Sequence, residues 1–278
     1  MAHYHVPVVT GPMADVLENP WGYGKRFRFT CAAIEAAFPE KSLAAIRVLD
    51  VGCGNGSFLA IPLARRGFSV TAIDLDPVSI EHGSRLAADA RNARFILGHV
   101  NDLTERDFDV AILSEVLEHV SDPSSLLVET VKRLQPRGIV IITVPNGRGE
   151  FEIDSWIHRT LHLESLFSVI RKLKTAKRNR QDVQKQWDAS STDNHNCGHV
   201  HFFTRRRLQR LFAQCSLEVV QEAGGPFICG PIACYAFARF PRFIKWNVRV
   251  TDQLPLALAS SWYFVLSRIN PSTPSCAE

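Results

Sequence analysis

From residue 47 onward, short apolar runs alternate with segments whose apolar positions recur at the helical period. This alternation is typical of β-strands joined by helices, and therefore of a parallel sheet. Seven strands are predicted: Arg47–Val51, Phe68–Asp74, Arg94–Leu97, Phe108–Leu113, Gly138–Val144, Leu217–Gln221 and Trp262–Ser267. The pattern predicts an α/β fold with a doubly wound, mostly parallel seven-stranded sheet.

Polar residues between the apolar runs predict where the helices begin and end. Asp76-Pro77 and Asp122-Pro123 each place an N-capping aspartate before a proline, which is favoured at the first helical position. Gly67 is expected to end a helix, and Thr204 to cap one. Four helices are predicted: Ser57–Arg66, Pro77 to about Ala90, Ser124–Leu134 and Thr204–Gln214.

The composition is that of an ordinary globular protein. Of the 278 residues 46% are hydrophobic, and 32 Lys and Arg against 28 Asp and Glu give a formal net charge of +4. This charge is too small to require a nucleic-acid or anionic-membrane partner. The seven cysteines are odd in number and form no C-x-x-C pair. They argue against a disulfide framework or a cysteine zinc site, and predict a reducing cytoplasm.

No segment has the pattern of a targeting or membrane-spanning element. Residues 1–12 hold no basic region followed by an apolar run, so we expect no secretory signal. The two longest apolar stretches, Pro226–Ala238 and Leu254–Leu266, are about 13 residues each, against the ~20 that cross a bilayer. We therefore expect a protein that does not span membranes.

The most informative segment is Val48-Leu49-Asp50-Val51-Gly52-Cys53-Gly54-Asn55-Gly56-Ser57-Phe58, in which a strand ends in three alternating glycines before a helix. Glycine permits positive φ in a tight turn and keeps Cβ atoms away from a ligand beside the helix N-terminus. The spacing differs from the G-x-G-x-x-G of dinucleotide-binding folds. Asp74 ends the second strand, where a carboxylate can accept both hydroxyls of a ribose, and Leu75 can cover an adenine face.

At these segments the chain resembles the class I S-adenosylmethionine-dependent methyltransferases, and is most similar to the ubiquinone-biosynthesis O-methyltransferase-like and methyltransferase type 11/12/23 group. The resemblance runs from Arg47 to Leu217, through VLDVGCGNGSF, VTAIDLDP, FDVAILSEVLEHVSDP, RLQPRGIVIITVPNG and HVHFFTRRRLQRLF. It implies S-adenosyl-L-methionine as cofactor, with the glycines beside its methionine and ribose. The implied cofactor-binding residues are Asp50, Gly52, Cys53, Gly54, Gly56, Asp74, Leu75, Val100, Asp102, Ser114 and Glu115.

Two segments depart from the family pattern. The residue after Gly98 is commonly an aspartate that contacts the adenine amino group, but here it is His99. Asp102 or the backbone around Val100 can replace that contact; alternatively, His99 is a surface loop residue and apolar packing holds the adenine. Before the fifth strand, where the family usually has L-K-P-G-G, this chain has Leu134-Gln135-Pro136-Arg137-Gly138. Either sequence can form the turn.

The resemblance divides the chain into four segments. Residues 1–45 form an N-terminal helical extension, 46–147 the Rossmann-like cofactor-binding half, 148–203 a helical lid for the substrate, and 204–270 the completion of the sheet. The stretch 148–197 is too long for a plain connection. Its aromatic and imidazole side chains are candidates for acceptor contact: Trp156, His158, His162, Phe167 and Trp187.

The segment Glu115-Val116-Leu117-Glu118-His119 follows the fourth strand, at the sheet edge where α/β folds bind ligands. Because histidine side chains in general titrate near neutrality, His119 is the candidate catalytic base, with Glu115 beside it. Alternatively, these residues only close the loop by hydrogen bonding. EVLEHV is also similar to the metal-linked segment of ubiquinone and small-RNA 3′-terminal 2′-O-methyltransferases. This implies a Mg²⁺ or Mn²⁺ site made by Glu115, Glu118, His119 and His199 or His201.

Six cations fall within Arg171–Arg180. They can attract a phosphate-bearing substrate or anionic lipid headgroups, and the apolar segment Pro226–Leu266 can lie on a membrane surface. A solvated helix face is the simpler explanation. No recognised RNA-binding motif accompanies the run, so nucleic acid is not the expected partner.

These features predict a cytoplasmic enzyme, or one peripheral to a membrane, that methylates a small molecule. The expected target is an oxygen on a phenolic, quinone-like, sugar or lipid-linked acceptor. Two alternatives stay open: a metal-dependent RNA 2′-O-methyltransferase, and a non-catalytic protein that binds the cofactor or its demethylated product. The sequence specifies no oligomeric state.

Overall fold

The computed structural model describes residues 18–149, 154, 160, 199–230, 232, 237 and 240–269. In these ranges seven strands form a sheet in the order β3-β2-β1-β4-β5-β7-β6. The strands are β1 (Arg47–Val51), β2 (Ser69–Asp74), β3 (Ala93–Leu97), β4 (Phe108–Ser114), β5 (Leu134–Pro145), β6 (Leu217–Gly224) and β7 (Ser261–Arg268). Strand β7 pairs antiparallel with both β5 and β6, and the other neighbouring pairs of the sheet are parallel. The expected α/β fold with a mostly parallel seven-stranded sheet is confirmed.

The regular α-helices in the described ranges are α1 (Tyr23–Ala37), α2 (Ala60–Arg66), α3 (Pro77–Leu86), α4 (Pro123–Val131), α5 (Arg205–Gln214) and α6 (Pro241–Val250). The caps predicted for α3, α4 and α5 are confirmed. The side chains of Asp76, Asp122 and Thr204 each accept a backbone N–H from the first turn of their helix.

Five predicted boundaries were wrong by three or four residues; two of them are the end of α3, at Leu86 rather than about Ala90, and the end of β6, at Gly224 rather than Gln221. Helix α2 begins at Ala60 rather than Ser57, because the preceding residues still form the turn, where the backbone N–H of Ser57 donates to Oδ1 of Asn55. Helix α4 ends at Val131, since Leu134 pairs with Phe108 across the sheet. That pairing also starts β5 at Leu134, four residues before the predicted strand.

The sheet is covered on both faces, which is why its central strands are almost continuously apolar. One core contains Val48 and Val110 with side chains of α1 and α2. The other contains Leu49 and Ala111 with side chains of α4 and α5. Polar side chains that end these strands are therefore left at the carboxyl edge of the sheet.

Most of the predicted lid at residues 148–203, including the basic run Arg171–Arg180, lies outside the described residues, so it stays a prediction. None of the helices in the described ranges combines the length and the hydropathy that a bilayer crossing requires.

Candidate active site

The glycine turn leaves β1 with left-handed backbone at alternate residues: φ is 70° at Gly52, 53° at Gly54 and 69° at Gly56. A Cβ atom on Gly52 would lie 2.6 Å from Cγ2 of Val116, and one on Gly56 would lie 2.6 Å from Cζ of Phe95. Packing within the protein therefore requires glycine at both positions. That is a second reason for these glycines, besides the space for a ligand that the sequence suggested.

Asp74 joins the end of β2 to the glycine turn. Its Oδ2 accepts a hydrogen bond from the backbone N–H of Gly54 (2.7 Å), and its Oδ1 accepts one from that of Asp76 (3.0 Å). Each carboxylate oxygen has two lone pairs, so each keeps one for a further donor such as a ribose hydroxyl. The neighbouring Leu75 is 58% exposed, and an apolar side chain here suits the face of a nucleobase.

Two predicted cofactor residues, Asp50 and Cys53, lie beneath the turn. Burial and, to a smaller extent, the charge of Asp74 together raise the pKa of Asp50 to about 7, although the backbone N–H of Ala60 opposes both. Burial also raises the pKa of the Cys53 thiol well above its usual range, and that thiol donates to the carbonyl of Gly54 (3.2 Å). Cys53 is therefore a neutral part of the turn rather than a reactive thiol.

The segment expected near the adenine forms a short 3₁₀ turn, Val100–Asp102. Val100 is buried, while His99 is exposed. Oδ2 of Asp102 accepts the backbone N–H of His99 at 3.0 Å, so this carboxylate closes the turn. These contacts favour the interpretation of His99 as a loop-surface residue, and the adenine contact stays a prediction.

A second group of polar side chains lies where β4 and β5 end. Glu115 has a left-handed backbone (φ 57°), and its Oε1 lies 3.0 Å from Nη2 of Arg26 and accepts the hydroxyl of Thr143 (2.9 Å). Oγ of Ser114 accepts from Nη1 of Arg26 (3.2 Å) and lies 3.0 Å from the Thr143 hydroxyl. Glu115 and Ser114, both predicted to bind the cofactor, are thus held in one network.

Arg26 was not predicted from the sequence. It comes from α1, is only 6% exposed, and places its guanidinium 5.4 Å from the ring of Tyr23 and 5.8 Å from that of Tyr263. Burial lowers the pKa of Arg26, but the Glu115 carboxylate and the two tyrosines outweigh it and raise this pKa above its usual value. The buried guanidinium therefore stays charged beside the site.

Glu118, His119 and His199 form a third group, in which one potential ligand atom from each lies within 4.8 Å of the others. Glu118 is 1% exposed, and neither carboxylate oxygen receives a hydrogen bond from the part of the chain that the structure describes. Burial raises the pKa of Glu118 well above its usual range, and the charge of Glu115 adds to this. Such a carboxyl group is either protonated or compensated by a cation.

The backbone holds His199 against this loop. The N–H groups of Val200 and His201 both donate to the carbonyl oxygen of Glu118 (2.8 and 3.1 Å). The rings of His119 and His199 meet edge to face, with centroids 5.1 Å apart.

The structure separates the two histidines that the sequence offered as the distant ligand. His201 lies outside the group, with Nε2 3.4 Å from the carbonyl of Ser121 and Nδ1 3.2 Å from Nη2 of Arg207. Glu115, the fourth predicted ligand, has Oε1 on Arg26 instead. Three of the four predicted metal ligands are thus brought together.

Comparison with known proteins assigns most of the chain to a domain family. Residues 23–222 match the model of a family described as a methyltransferase domain. Ubiquinone biosynthesis O-methyltransferases from Rickettsia akari and Rickettsia conorii are 36% identical over 109 residues and 35% identical over 117. These alignments cover 38% and 41% of this chain and 43% and 40% of the relatives. The chain therefore spans less than half the length of the curated relatives it matches.

Solved structures share the architecture at low identity. PKMT2 from Rickettsia typhi superposes with a TM-score of 0.54 at 17% identity, covering 84% of this chain and 50% of that one. Geranyl diphosphate C-methyltransferase from Streptomyces coelicolor A3(2) gives a TM-score of 0.51 at 15% identity, covering 87% and 78%. At these identities the likeness shows a common fold.

Proposed function

Because the chain belongs to the methyltransferase-domain family, within the class I S-adenosylmethionine-dependent methyltransferases, we propose that it transfers a methyl group from S-adenosylmethionine to a small acceptor. The observation that carries this proposal is the junction of Asp74 with the glycine turn. The carboxylate that would hold the ribose accepts the N–H of Gly54. The ribose anchor and the bare turn are thus held in fixed relation at the ligand-binding edge.

The residues around the turn fit this cofactor. Each oxygen of Asp74 keeps an acceptor site for a ribose hydroxyl, and the exposed Leu75 offers an apolar surface to the adenine. On the other side, Arg26 supplies a buried positive charge, which suits the carboxylate end of an amino acid. Ser114 and Glu115 would lie between these two anchors.

The cofactor supplies a methyl group that the positive charge on its sulfur already activates, so the protein must mainly align the acceptor and remove its proton. We infer that His119 is the base. Its imidazole is partly exposed, and its Nε2 lies 3.8 Å from Oε1 of the buried Glu118. A proton taken from an acceptor hydroxyl would give His119 a positive charge, which an ionised Glu118 would compensate.

An oxygen acceptor is supported by the names of the relatives, which are O-methyltransferases of ubiquinone biosynthesis. We propose a phenolic, quinone-like, sugar or lipid-linked hydroxyl. The basic run Arg171–Arg180 lies outside the described residues and stays a prediction for contact with a phosphate or a membrane.

A metal-assisted reaction is a second candidate, favoured by the three-residue group around the unsatisfied Glu118. One buried carboxylate and two imidazoles suit Mn²⁺ better than Mg²⁺, which prefers oxygen ligands, and Glu118, His119 and His199 would be the ligands. A bound cation would lower the pKa of an acceptor hydroxyl and orient paired oxygens. The RNA 2′-O-methyltransferase alternative rests on this group, and methylation of an RNA 3′ end that a chelator abolishes would select it.

Isothermal titration with S-adenosylhomocysteine tests the cofactor site. We expect Asp74→Ala to weaken binding by roughly 1–3 kcal/mol, because the ribose hydroxyls lose their acceptors. Asp76→Ala is the matched control: this carboxylate caps α3 and accepts the N–H groups of Val78 and Ser79. The control should lower stability by about 1 kcal/mol and leave affinity unchanged. Equal affinity of Asp74→Ala and the unmodified protein would refute the ribose assignment.

An acceptor screen then separates enzyme from binding protein. Binding of S-adenosylhomocysteine without methyl transfer to any phenol, quinol, sugar or lipid hydroxyl would favour the non-catalytic alternative. Methyl transfer that His119→Ala reduces by about 10²–10⁴-fold would support His119 as the base.

Titration with Mn²⁺ tests the metal candidate without any turnover. We expect binding that His199→Ala weakens at least tenfold and that His201→Ala leaves unchanged, because His201 bonds to Ser121 and Arg207 instead. An anomalous signal from a Mn²⁺-soaked crystal should lie among Glu118, His119 and His199. If both histidine variants bind Mn²⁺ equally, the candidate site is wrong.

A further inference from the structure

Helix α6 is amphipathic and firmly seated. Ile244, Asn247 and Val248 face inward and are buried. The side chain of Asn247 pairs with the backbone of Ile228, donating to its carbonyl at 2.6 Å and accepting its N–H at 2.8 Å. These contacts set the rotation of the helix, so that its opposite side faces solvent.

The solvent side concentrates aromatic rings. Phe237, Phe240 and Trp246 are 43%, 45% and 48% exposed. Phe243 joins them, with its ring stacked on Phe237 at 4.6 Å and tilted against Trp246 at 5.6 Å. Exposed apolar surface that is contiguous rather than scattered marks an interaction site.

Positive charge lies beside these rings. Arg242, Lys245 and Arg249 are exposed on α6, and the helix Pro241–Val250 contains no Asp or Glu. In the described part of the chain none of the three forms an ion pair. With Trp246, Val250 and Gln253 they line a groove of about 380 Å³. This volume lies in the ~300–1,000 Å³ range of small-ligand sites.

We propose that this surface, the α6 face (Phe237, Phe240, Arg242, Lys245, Trp246 and Arg249), docks on an anionic lipid bilayer. The apolar side of α6 is buried in the protein, so the bilayer contact is made by the exposed side, where lysine and arginine lie beside tryptophan and phenylalanine, a composition found at membrane interfaces. The rings enter the headgroup boundary while the cations pair with lipid phosphates. Single-stranded RNA also stacks its bases on exposed aromatic rings, but Phe237 and Phe243 already stack on each other, which covers one face of each ring.

The α6 face lies at the same edge of the sheet as the candidate active site. Strand β6 ends and β7 begins beside the end of β5, where Pro145 pairs with Ser261 and Gly224 with Trp262. Nζ of Lys25 in α1 also donates to the carbonyl of Val248, at 2.9 Å. Docking would therefore bring this edge close to the bilayer. The inference goes beyond the proposed methyl transfer and can be tested without turnover.

Co-sedimentation with lipid vesicles tests this inference on the full chain. We expect binding to vesicles of phosphatidylcholine with phosphatidylglycerol, and little binding to phosphatidylcholine alone. Each cation near an anionic surface contributes a factor of about five, so the triple variant Arg242→Gln, Lys245→Gln, Arg249→Gln should lower the partition coefficient about 100-fold. Trp246→Ser should lower it several-fold on the same vesicles. Salt should weaken binding of the unmodified protein.

A double variant of α5, Arg206→Gln with Arg210→Gln, is the charge control, because both side chains are exposed on another helix. It should retain most of the vesicle binding, and circular dichroism should show all variants folded. Equal loss in the α5 control, or undiminished binding of the α6 triple variant, would overturn the proposal. So would tight binding of a short RNA together with no binding to anionic vesicles, or displacement by millimolar inorganic phosphate alone.

Discussion

The two sides of the carboxyl edge of the sheet are held together by different kinds of contact. On the β1 and β2 side, backbone groups form most of the contacts: the N–H groups of Gly52 and Cys53 both donate to the carbonyl of Ile73. On the β4 and β5 side, the contacts join charged and hydroxyl side chains from segments far apart in the sequence, as in the pair of Arg26 and Glu115. On the β1 and β2 side, close packing around the glycines allows only one backbone geometry. The geometry of the β4 and β5 side depends on the balance of buried charges.

The largest effect should come from disturbing the glycine side. Gly52→Ala combines left-handed backbone with a Cβ atom 2.6 Å from Val116, so we expect the free energy of unfolding to fall by about 3–4 kcal/mol. Urea denaturation followed by circular dichroism measures it. Gly67→Ala is the control: its φ is 114°, but its Cβ atom would meet only Leu43, at 3.7 Å.

Truncating the neighbour separates strain from overlap at this turn. Val116→Ala should recover about 1–3 kcal/mol in the Gly52→Ala background, and nothing in the Gly67→Ala background. Strict additivity of the changes at 52 and 116 would contradict the packing explanation.

The charged side should respond next. Arg26→Met leaves Glu115 without its cation while Glu118 lies close by, and we expect a loss of about 2–3 kcal/mol. The estimate is below that for a fully buried pair because Glu115 is partly exposed. Adding Glu115→Gln should restore at least about 1 kcal/mol, because the uncompensated charge is removed. No recovery in this double variant would mean that Arg26 acts through packing alone.

The smallest effect concerns pH, and it belongs to the glycine side. The pKa of Asp50 is raised by burial to about 7 in the folded protein, so between roughly pH 4 and pH 7 the folded state binds the proton that the unfolded state has released. The contribution of Asp50 to stability therefore falls as pH rises through this window. Asp50→Asn removes the titration while keeping an oxygen for the N–H of Ala60.

We expect Asp50→Asn to match the unmodified protein near pH 4 and to exceed its free energy of unfolding by about 1–3 kcal/mol above pH 7, less than the ~4 kcal/mol of the full pKa displacement because local relaxation partly compensates the ionised carboxylate. Parallel urea denaturation at pH 4.5, 6 and 8 measures the difference. A difference that is constant with pH would show that Asp50 ionises normally.

The difference between the two sides of the carboxyl edge also explains how much could be predicted from the sequence. The sheet, the caps at Asp76 and Asp122, and the turn with Asp74 follow from local residue patterns, because backbone geometry restricts which residues fit. His199 was found through its likeness to a known motif. Its selection over His201 depended on backbone hydrogen bonds from 200 and 201 to Glu118, which no local pattern reveals.

Arg26 and α6 show where local patterns fail. Arg26 lies 89 residues from Glu115 in sequence, and an arginine among other cations in a helix normally has a solvated side chain. The start of helix α6 is hard to recognise in the sequence because an apolar stretch precedes it. The buried positions 244, 247 and 248, with 251 just after the helix, nevertheless have the helical period.

Lys25 and Arg26 are consecutive residues of α1 that form ion pairs with different parts of the chain. Nζ of Lys25 lies 2.7 Å from Oδ1 of Asp252, while Arg26 holds Glu115. Successive side chains on a helix point about 100° apart, so α1 must have one particular rotation about its axis to form both ion pairs. Over evolutionary time, an insertion or deletion of a single residue in the first turn of α1 would break both pairs at once. We therefore expect relatives to vary here by substitution rather than by insertion or deletion, and changes at position 26 to be paired with changes at 115.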